Sequence, residues 1–375
     1  MTGLDAFYRG KRVLVTGHTG FKGSWLCLWL AELGAEVHGY ALAPPTTPSL
    51  FEEAGCASVL ASHRTGDVRD FDGVQEALRA VRPEMVFHLA AQPLVRLSYR
   101  QARETYENNV RGTVNVLEAV RGVPSVRVCQ VITSDKCCEN RGTGAAFRES
   151  DPLGGFDPYS SSKGCAELVV AGYRRSFFPA EEIARHGVSV ASARAGNVIG
   201  GGDWAADRIV PDCIRALQRG EPITVRHPVA VRPWQHVLEP LAGYLHLARC
   251  QRQDPAAFAD AWNFGPLPTG CVTVRELVGQ ITRHWGEEYG SPRYSDSEAG
   301  APVHEAALLR LDISKATARL GWHPVFTVPE AVAATVAWYR QRWRAGPAFD
   351  AAALCRRQIR EFMDQAGTGK HRYAV

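Results

Sequence analysis

The sequence of 375 residues lacks the signals of a membrane or secreted protein. No apolar segment follows a basic head at its start, and no charge-free run reaches about 18 residues, so we expect neither a signal peptide nor a membrane span. Ten cysteines are scattered without Cys-x-x-Cys spacing, which predicts a reducing, cytoplasmic location and no metal site. The formal net charge is only +4, with no basic block, so neither nucleic acid nor an anionic membrane is an expected partner.

Lysine is also scarce, because arginine carries almost all of the basic charge. Three of the six lysines lie within three short segments. These segments are residues 16–23 (Thr-Gly-His-Thr-Gly-Phe-Lys-Gly), residues 134–136 (Ser-Asp-Lys) and residues 159–163 (Tyr-Ser-Ser-Ser-Lys). A phosphate cradle, a polar triplet and a Tyr-x-x-x-Lys pair in this order predict a dinucleotide enzyme whose chemistry begins by removing a hydroxyl proton.

The first segment lies between a strand-like apolar run at residues 11–15 and a helix-like apolar run at residues 24–33. Strand, glycine turn and helix predict a pyrophosphate site at the helix N-terminus, where glycines allow a tight turn and close backbone approach. The spacing Gly-x-x-Gly-x-x-Gly is typical of the extended short-chain dehydrogenase/reductases. The residues expected to hold the cofactor here are Gly17, Thr19, Gly20, Phe21, Lys22 and Gly23.

The expected cofactor is NAD. The second predicted strand, residues 36–42, does not end in the acidic residue that usually binds the ribose 2′-hydroxyl. However, no Arg or Lys lies between Lys22 and Arg64 to bind the extra phosphate of NADP. Residues 65–70 (Thr-Gly-Asp-Val-Arg-Asp) resemble the adenine-binding turn of the same family, with Asp67 and the backbone of Val68 beside the base. An aspartate that caps the following helix is the alternative.

Two further predicted strands end near the cofactor. Residues 85–91 (Met-Val-Phe-His-Leu-Ala-Ala) run from a buried strand into small residues, so Leu89, Ala90 and Ala91 can lie close to the cofactor. The same segment could also be plain core. Thr133, which follows the predicted strand at residues 128–132, is a further cofactor candidate.

Tyr159 and Lys163 are four residues apart, which places both on one face of a helix. A phenol with an ordinary pKa near 10 is a poor base at neutral pH, but a nearby ammonium and a positively charged nicotinamide both favour the phenolate. Tyr159 can then accept a hydroxyl proton, Lys163 can hold the nicotinamide ribose, and Ser134 completes the set. The alternatives are an exposed helix turn for the pair and a simple cap for Ser134.

Asp135 and Lys136 separate the possible reactions. Removing water across two carbons requires an acid for the leaving hydroxyl and a group that handles the adjacent proton, whereas a dehydrogenase or an epimerase needs only the hydride machinery. Asp135 can be that acid if it is kept protonated. Lys136 can be the base if its pKa is lowered by several units, or else an electrostatic stabiliser of the enolate. A surface ion pair is the alternative.

These motifs, together with residues 194–204 (Arg-Ala-Gly-Asn-Val-Ile-Gly-Gly-Gly-Asp-Trp) and 232–239 (Arg-Pro-Trp-Gln-His-Val-Leu-Glu), resemble the CDP-glucose branch of the nucleotide-sugar 4,6-dehydratases over nearly the whole chain. The sister dTDP-glucose enzymes carry Thr-Asp-Glu where this chain has Ser-Asp-Lys. The resemblance implies an internal redox cycle on bound NAD. In that cycle Tyr159 deprotonates the 4-hydroxyl, Asp135 protonates the departing 6-hydroxyl, and hydride returns to carbon 6 to form CDP-4-keto-6-deoxyglucose.

The resemblance also implies substrate contacts. Asn197, Arg208 and Arg232 would hold the sugar and the diphosphate, since arginine offers bidentate contacts to phosphate oxygens. Gln92 and Arg96 are weaker candidates that would face the hexose. The alternative for each is a solvated surface residue or an ion pair between lobes. Cys138 stands where the family pattern has tyrosine, so other nucleotide hexoses stay open as substrates.

Alternating strand and helix signals from residue 11 to about 195 predict an α/β fold with a Rossmann-type doubly wound parallel sheet. We expect an NAD-binding domain at residues 1–195 and a smaller substrate-binding lobe at 196–375, with a segment near 232–262 returning to the first domain. By analogy with the family, helices at residues 104–120 and 159–178 would form the interface of a homodimer or dimer-based oligomer. A nucleotide-sugar epimerase and a silent NAD-binding regulator stay open as alternative functions.

Overall fold

The structure is a computed structural model that describes residues 3–142, 144–225, 227–267, 270–286, 294–296 and 309–368. The strands of this part of the chain are β1 (Arg12–Thr16), β2 (Glu36–Ala41), β3 (Ser62–Thr65), β4 (Met85–His88), β5 (Val128–Ile132), β6 (Ser189–Ala195), β7 (Val198–Ile199), β8 (Ile223–Val225), β9 (Val231–Pro233), β10 (Gln235–His236), β11 (Ala261–Phe264), β12 (Cys271–Thr273) and β13 (Tyr294–Asp296).

The α-helices are α1 (Leu4–Tyr8), α2 (Phe21–Glu32), α3 (Leu50–Glu53), α4 (Phe71–Val81), α5 (Val95–Arg100), α6 (Ala102–Tyr106), α7 (Gly112–Arg121), α8 (Pro158–Ser176), α9 (Ile183–His186), α10 (Ile209–Arg219), α11 (Leu238–Gln253), α12 (Pro255–Phe258), α13 (Val274–Trp285), α14 (Val328–Ala345) and α15 (Ala351–Thr368). A π-helical turn, Glu107–Arg111, joins α6 to α7. None of the helices in the described ranges is long and apolar enough to cross a membrane.

Seven strands form one sheet in the order β11-β6-β5-β4-β1-β2-β3, and all of its pairings are parallel. Every residue of β4, β5 and β6 is buried, as expected for parallel strands covered by helices on both faces. The predicted doubly wound parallel sheet is therefore confirmed. Because all seven strands run the same way, the ends of β1, β4, β5 and β6 meet along one edge.

The two faces of the sheet carry separate apolar cores. One core contains the buried side of α4, α7 and α8. The other contains α2 and α11, and continues into the C-terminal third of the chain through α13, α14 and α15. The alternating strands and helices thus form a three-layer arrangement in which α2 and α8 approach the same sheet edge from opposite faces.

The part of the chain after β6 forms smaller units at that edge. Three two-stranded sheets pair β7 with β10, β9 with β12, and β8 with β13. The chain then returns through α11 to β11, which pairs with β6 as the outermost strand of the large sheet. Helix α15 also returns and covers α2, where the rings of Trp29 and Phe362 meet edge to face at 5.7 Å.

Candidate active site

The glycine segment forms a tight cradle between β1 and α2. Gly17 has φ +73°, and a Cβ there would lie 2.6 Å from the backbone nitrogen of Ala90. A Cβ at Gly23 would lie 2.2 Å from the carbonyl oxygen of Gly17. Helix α2 begins after Gly20 without a side-chain cap, so its first N–H groups and the positive end of its dipole are available to an anion. This geometry fits the diphosphate of a dinucleotide.

Two side chains of the cradle make specific contacts. Thr19 donates a hydrogen bond to the carbonyl of Leu42 at 2.9 Å, and this contact holds the cradle against the end of β2. The Lys22 ammonium donates a hydrogen bond to the hydroxyl of Tyr244 on α11 at 3.3 Å. Burial, together with the positive charges of Lys163 and Arg208, lowers the pKa of Lys22 to about 7. Lys22 therefore extends from the cradle toward the predicted catalytic residues.

The turn at residues 65–70 is held by its own side chains. The carboxylate of Asp67 accepts hydrogen bonds from the backbone and the guanidinium of Arg69 at 2.6–2.9 Å. The carbonyl of Val68 accepts a hydrogen bond from the Asn115 amide at 2.9 Å. Helix α4 starts at Asp70, which makes no side-chain cap, so the capping alternative is wrong for this turn.

At the end of β4, half-buried Leu89, Ala90 and Ala91 border the cradle. Just before them, His88 lies between two hydroxyls, with Nδ1 2.7 Å from Thr16 Oγ1 and Nε2 3.3 Å from Thr113 Oγ1. Burial and the charge of Lys163 lower the pKa of His88 to about 3, so this imidazole stays neutral. The sequence analysis did not identify this histidine.

The polar triplet forms a 3-10 turn, Asp135–Cys137, at the end of β5. The Ser134 hydroxyl donates a hydrogen bond to Asp135 Oδ1 at 3.0 Å and accepts one from the backbone N–H of half-buried Lys136 at 3.3 Å. Asp135 is 2 % exposed, and its Oδ2 has no hydrogen-bond partner. Burial raises the pKa of this carboxyl against the opposing charges of Lys136 and Arg232. A surface ion pair is thus the wrong description of Asp135.

Helix α8 carries Tyr159 and Lys163 into the same pocket. Its N-cap, Asp157, accepts a hydrogen bond from the backbone of Ser160 at 2.9 Å, which starts the helix one residue before Tyr159. Tyr159 is 8 % and Lys163 is 6 % exposed, so the pair is not an exposed helix turn. The Lys163 ammonium donates to the carbonyl of Ile132 at 3.2 Å.

Burial sets the acidity of both groups. It raises the pKa of Tyr159 to about 12, while a hydrogen bond with Ser134 and the charge of Arg208 act in the opposite direction. It also lowers the pKa of Lys163 to about 8, against the negative charge of Glu167. Deprotonation of Tyr159 therefore depends on further positive charge being brought to the pocket.

The predicted substrate residues lie in different environments. Arg208 pairs with Asp203 at 2.8 Å and acts on Tyr159 through its charge. Arg232 is buried at 6 % exposure and acts on Asp135. Arg96 lies 4.0 Å from Asp207. Half-buried Asn197 accepts a hydrogen bond from the Gln235 backbone through its carbonyl at 3.0 Å.

Gln92 differs from the expectation of a side chain that faces the hexose. Its amide nitrogen donates to the carbonyl of Leu94 at 3.1 Å and to the hydroxyl of Thr105 at 2.9 Å. Its amide oxygen accepts from the Leu94 backbone at 2.5 Å. The side chain therefore stabilises its own loop. This role depends in part on the contact with Thr105 of α6, which the position of Gln92 in the sequence does not reveal.

Cys138 directly follows the 3-10 turn Asp135–Cys137. It is 2 % exposed, and its Sγ is 3.9 Å from Cys137 Sγ and 3.9 Å from Arg194 Nη1. A hydrogen bond with Cys137 and the charge of Arg194 lower the pKa of this thiol. Among the residues that the structure describes, no group of three or more His, Cys, Asp or Glu side chains could hold a metal ion.

Comparison with known proteins agrees with this geometry. The model of the GDP-mannose 4,6 dehydratase family matches residues 14–335. The chain is 48 % identical over 357 residues to a CDP-glucose 4,6-dehydratase of Salmonella typhimurium, an alignment that covers 95 % of this chain and 97 % of that protein.

Solved structures share the fold. A UDP-glucose 4-epimerase of Thermus thermophilus in complex with NAD is 25 % identical, with a TM-score of 0.71 over 88 % of this chain and 99 % of that chain. A dTDP-glucose 4,6-dehydratase of Bacillus anthracis in complex with NAD is 19 % identical, with a TM-score of 0.72 over 89 % of this chain and 98 % of that chain. The chain therefore belongs to the GDP-mannose 4,6 dehydratase family, an NAD-dependent group of extended short-chain dehydrogenase/reductases that act on nucleotide sugars.

Proposed function

We propose that this protein is a CDP-glucose 4,6-dehydratase that converts CDP-D-glucose to CDP-4-keto-6-deoxy-D-glucose and water. The observation that carries this proposal is the buried carboxyl of Asp135, whose unpartnered oxygen lies in a pocket shared with Ser134 and Tyr159. An epimerase needs no acid at this position, whereas elimination of a hydroxyl does. The 48 % identity with the Salmonella CDP-glucose enzyme supports the choice of substrate.

The cofactor residues of this proposal surround the cradle. They are Gly17, Thr19, Gly20, Phe21, Lys22, Gly23, Asp67, Val68, Leu89, Ala90, Ala91 and Thr133, together with Tyr159 and Lys163. When bound, NAD supplies a reversible hydride acceptor for the sugar. The uncapped N-terminus of α2 and the ammonium of Lys22 are the groups that would neutralise its diphosphate.

Oxidation of the sugar is assigned to Tyr159 as base. Its phenolate removes the proton of the 4-hydroxyl and becomes the phenol, and the hydrogen bond between Ser134 and Tyr159 favours the phenolate. Arg208 and Lys163 supply positive charge that favours the phenolate form. Because burial raises the pKa of Tyr159 to about 12 even with Ser134 and Arg208 acting against it, the mechanism also requires positive charge from Lys163 and the bound cofactor.

Elimination is assigned to Asp135 and Lys136. Burial raises the pKa of Asp135, which favours the protonated carboxyl that the departing 6-hydroxyl requires. Lys136 follows in the same 3-10 turn and handles the proton of carbon 5, either as the base itself or by stabilising the enolate. Substrate binding is assigned to Asn197, Arg208 and Arg232, with Arg96 at the pocket edge.

We also propose the division into an NAD-binding domain at residues 1–195 and a substrate-binding lobe at residues 196–375, with residues near 232–262 belonging to the first. The return of β11 to the large sheet supports that assignment. The packing of α15 on α2 brings a second segment of the C-terminal part into contact with the NAD-binding domain.

A homodimer is proposed through α6, α7 and α8, because exposed apolar side chains lie on α6, on α8 and at the two ends of α8. These are Tyr106, Phe156, Leu168 and Phe177. Leu168→Glu should convert a dimer into a monomer in light scattering.

A cytoplasmic location is proposed because all ten cysteines are free thiols.

The decisive experiment incubates the purified protein with NAD and a panel of CDP-, dTDP-, GDP- and UDP-hexoses. We expect CDP-glucose to give a 4-keto-6-deoxy product that absorbs as an enone in alkali. Reduced nicotinamide should not accumulate in proportion to product, because hydride returns to the same sugar. A product that is a C4 epimer without loss of water would instead establish the epimerase. Stoichiometric reduced nicotinamide would establish an ordinary dehydrogenase.

A further inference from the structure

Glu167 forms a buried polar network behind the catalytic pocket. It lies one helical turn after Lys163 on α8 and is 3 % exposed. One carboxylate oxygen accepts a hydrogen bond from the Thr133 hydroxyl at 2.5 Å. The other accepts hydrogen bonds from the Ser192 hydroxyl at 2.8 Å and from Arg194 at 2.9 Å. The carboxylate therefore joins α8 to the ends of two neighbouring strands.

The anchor points of Lys163 and Glu167 are consecutive residues. The Lys163 ammonium donates to the carbonyl of Ile132 at 3.2 Å, and Glu167 holds the hydroxyl of Thr133, the next residue. Ser134 follows directly and begins the catalytic turn. Two successive turns of one helix thus hold the segment that leads into the site.

The charged and titratable groups that act on Lys163 come from four elements. Glu167 lies on α8, the helix that carries Lys163, and Cys137 lies on the 3-10 turn. His88 lies on β4 and Lys22 on α2. Burial keeps the thiol of Cys137 protonated by raising its pKa, and His88 is neutral. Lys22 and Lys163 repel each other when both are protonated. Within the described residues, Glu167 is the anion among these groups.

Glu167 itself stays ionised. Burial alone would raise the pKa of its carboxyl, but Arg194 and the hydrogen bonds from Thr133 and Ser192 reverse that effect and lower it. A buried carboxylate with a full set of partners is a fixed negative charge.

We propose that Glu167 is a positioning residue of the hydride-transfer site, which fixes Thr133 beside the cofactor and keeps Lys163 an ammonium. This inference rests on the proposed role of Lys163. The carboxylate acts through Lys163 and Thr133 and does not touch the sugar.

The test measures Lys163 directly. With six lysines in the chain, isotopic labelling at lysine Cε gives few NMR signals, and comparison with K163M identifies the signal of Lys163. In the NAD-bound protein we expect E167Q to lower the pKa of Lys163 by on the order of one unit, because the anion that favours its charged form is gone. E118Q is the matched control, because Glu118 also contacts α8, through Tyr173 at 3.1 Å, but outside this network.

A second measurement uses the pH profile of the first hydride transfer in a single turnover. E167Q should move the alkaline limb to lower pH by the same amount as the NMR titration, and E167D should restore much of the original profile. A folded E167Q protein with an unchanged Lys163 pKa would overturn the inference. This result would be independent of the substrate, since the titration needs no sugar.

Removing the carboxylate leaves Arg194 buried without its charged partner, which destabilises the fold of E167Q. The double variant E167Q/R194M removes both charges and then carries the test. Its Lys163 pKa should also fall, because the carboxylate raises the pKa of Lys163, whereas the Arg194 guanidinium contacts Glu167, Cys138 and the carbonyl of Glu149. An unchanged titration in this variant would equally refute the role of Glu167.

Discussion

Lys22 Nζ lies 3.3 Å from the hydroxyl of Tyr244, a contact that crosses 222 positions of the chain. It joins the phosphate cradle at the start of α2 to the middle of α11. Tyr244 is completely buried, and burial raises the pKa of its phenol, so the partner of the ammonium is neutral. Lys22 therefore has a neutral hydrogen-bond partner, and a diphosphate bound in the cradle would favour its charged form.

Replacing Lys22 with Met should weaken NAD binding. Loss of one charge-assisted contact to a phosphate costs about 1.5–3 kcal/mol, or roughly ten- to a hundredfold in the dissociation constant. Calorimetric titration with NAD measures this change. Lys11→Met is the control, because Lys11 pairs with Glu84 at 3.0 Å at the opposite end of β1. Equal affinities for the parent and K22M proteins would remove Lys22 from the cofactor site.

Tyr159→Phe should abolish turnover and leave the fold intact. The ring stays in its buried position, and only the ionisable hydroxyl is removed. Loss of a positioned base lowers the rate by about a hundred- to ten-thousandfold. Activity assays and thermal melts together make the measurement. Activity within a few-fold of the parent would show that another group takes the 4-hydroxyl proton.

Arg208→Gln should shift the pH dependence of sugar oxidation. The guanidinium lowers the pKa of Tyr159 against the effect of burial, so its removal raises that pKa and leaves less phenolate at any given pH. The acid limb of the single-turnover rate at saturating substrate should therefore move to higher pH. Arg215→Gln serves as the control, since Arg215 lies on the same helix and pairs with Asp212. If KM changes but the acid limb of the pH profile stays in place, Arg208 serves substrate binding and does not act on Tyr159.

Lys136→Met should separate oxidation from elimination. Hydride transfer from carbon 4 should persist while the following steps stop, so bound reduced nicotinamide should build up in a single turnover. Substrate with deuterium at carbon 4 should then fail to deliver its label to carbon 6. If oxidation is lost as well, Lys136 supports the placement of substrate or cofactor, and elimination rests on Asp135.

Asp135→Asn gives the matched comparison, because the amide keeps the shape of the side chain but cannot supply the acid proton. It should also stop the reaction after oxidation. The parent enzyme should lose dehydration activity as pH rises through the raised pKa of Asp135, since only the protonated carboxyl acts as acid.

Much of the framework could be predicted because its signals are local. The strand, glycine turn and helix around Gly17 follow from neighbouring residues, and the separation of Tyr159 and Lys163 follows from helix geometry. The roles of these residues in catalysis stay predictions. Glu167 had a signal of the same kind, four residues after Lys163, but its importance depends on Thr133, Ser192 and Arg194, which come from other strands.

The sequence by itself determined the parallel sheet, the cradle and the order of the motifs, since periodicity and glycine spacing are properties of short segments. Only the tertiary structure decided the environment of each side chain. It buried Asp135 with one free oxygen, turned the Gln92 side chain to Leu94 and Thr105 and brought Lys22 to Tyr244. Burial and distant charges shift proton affinities and select hydrogen-bond partners, and both depend on segments far apart in the chain.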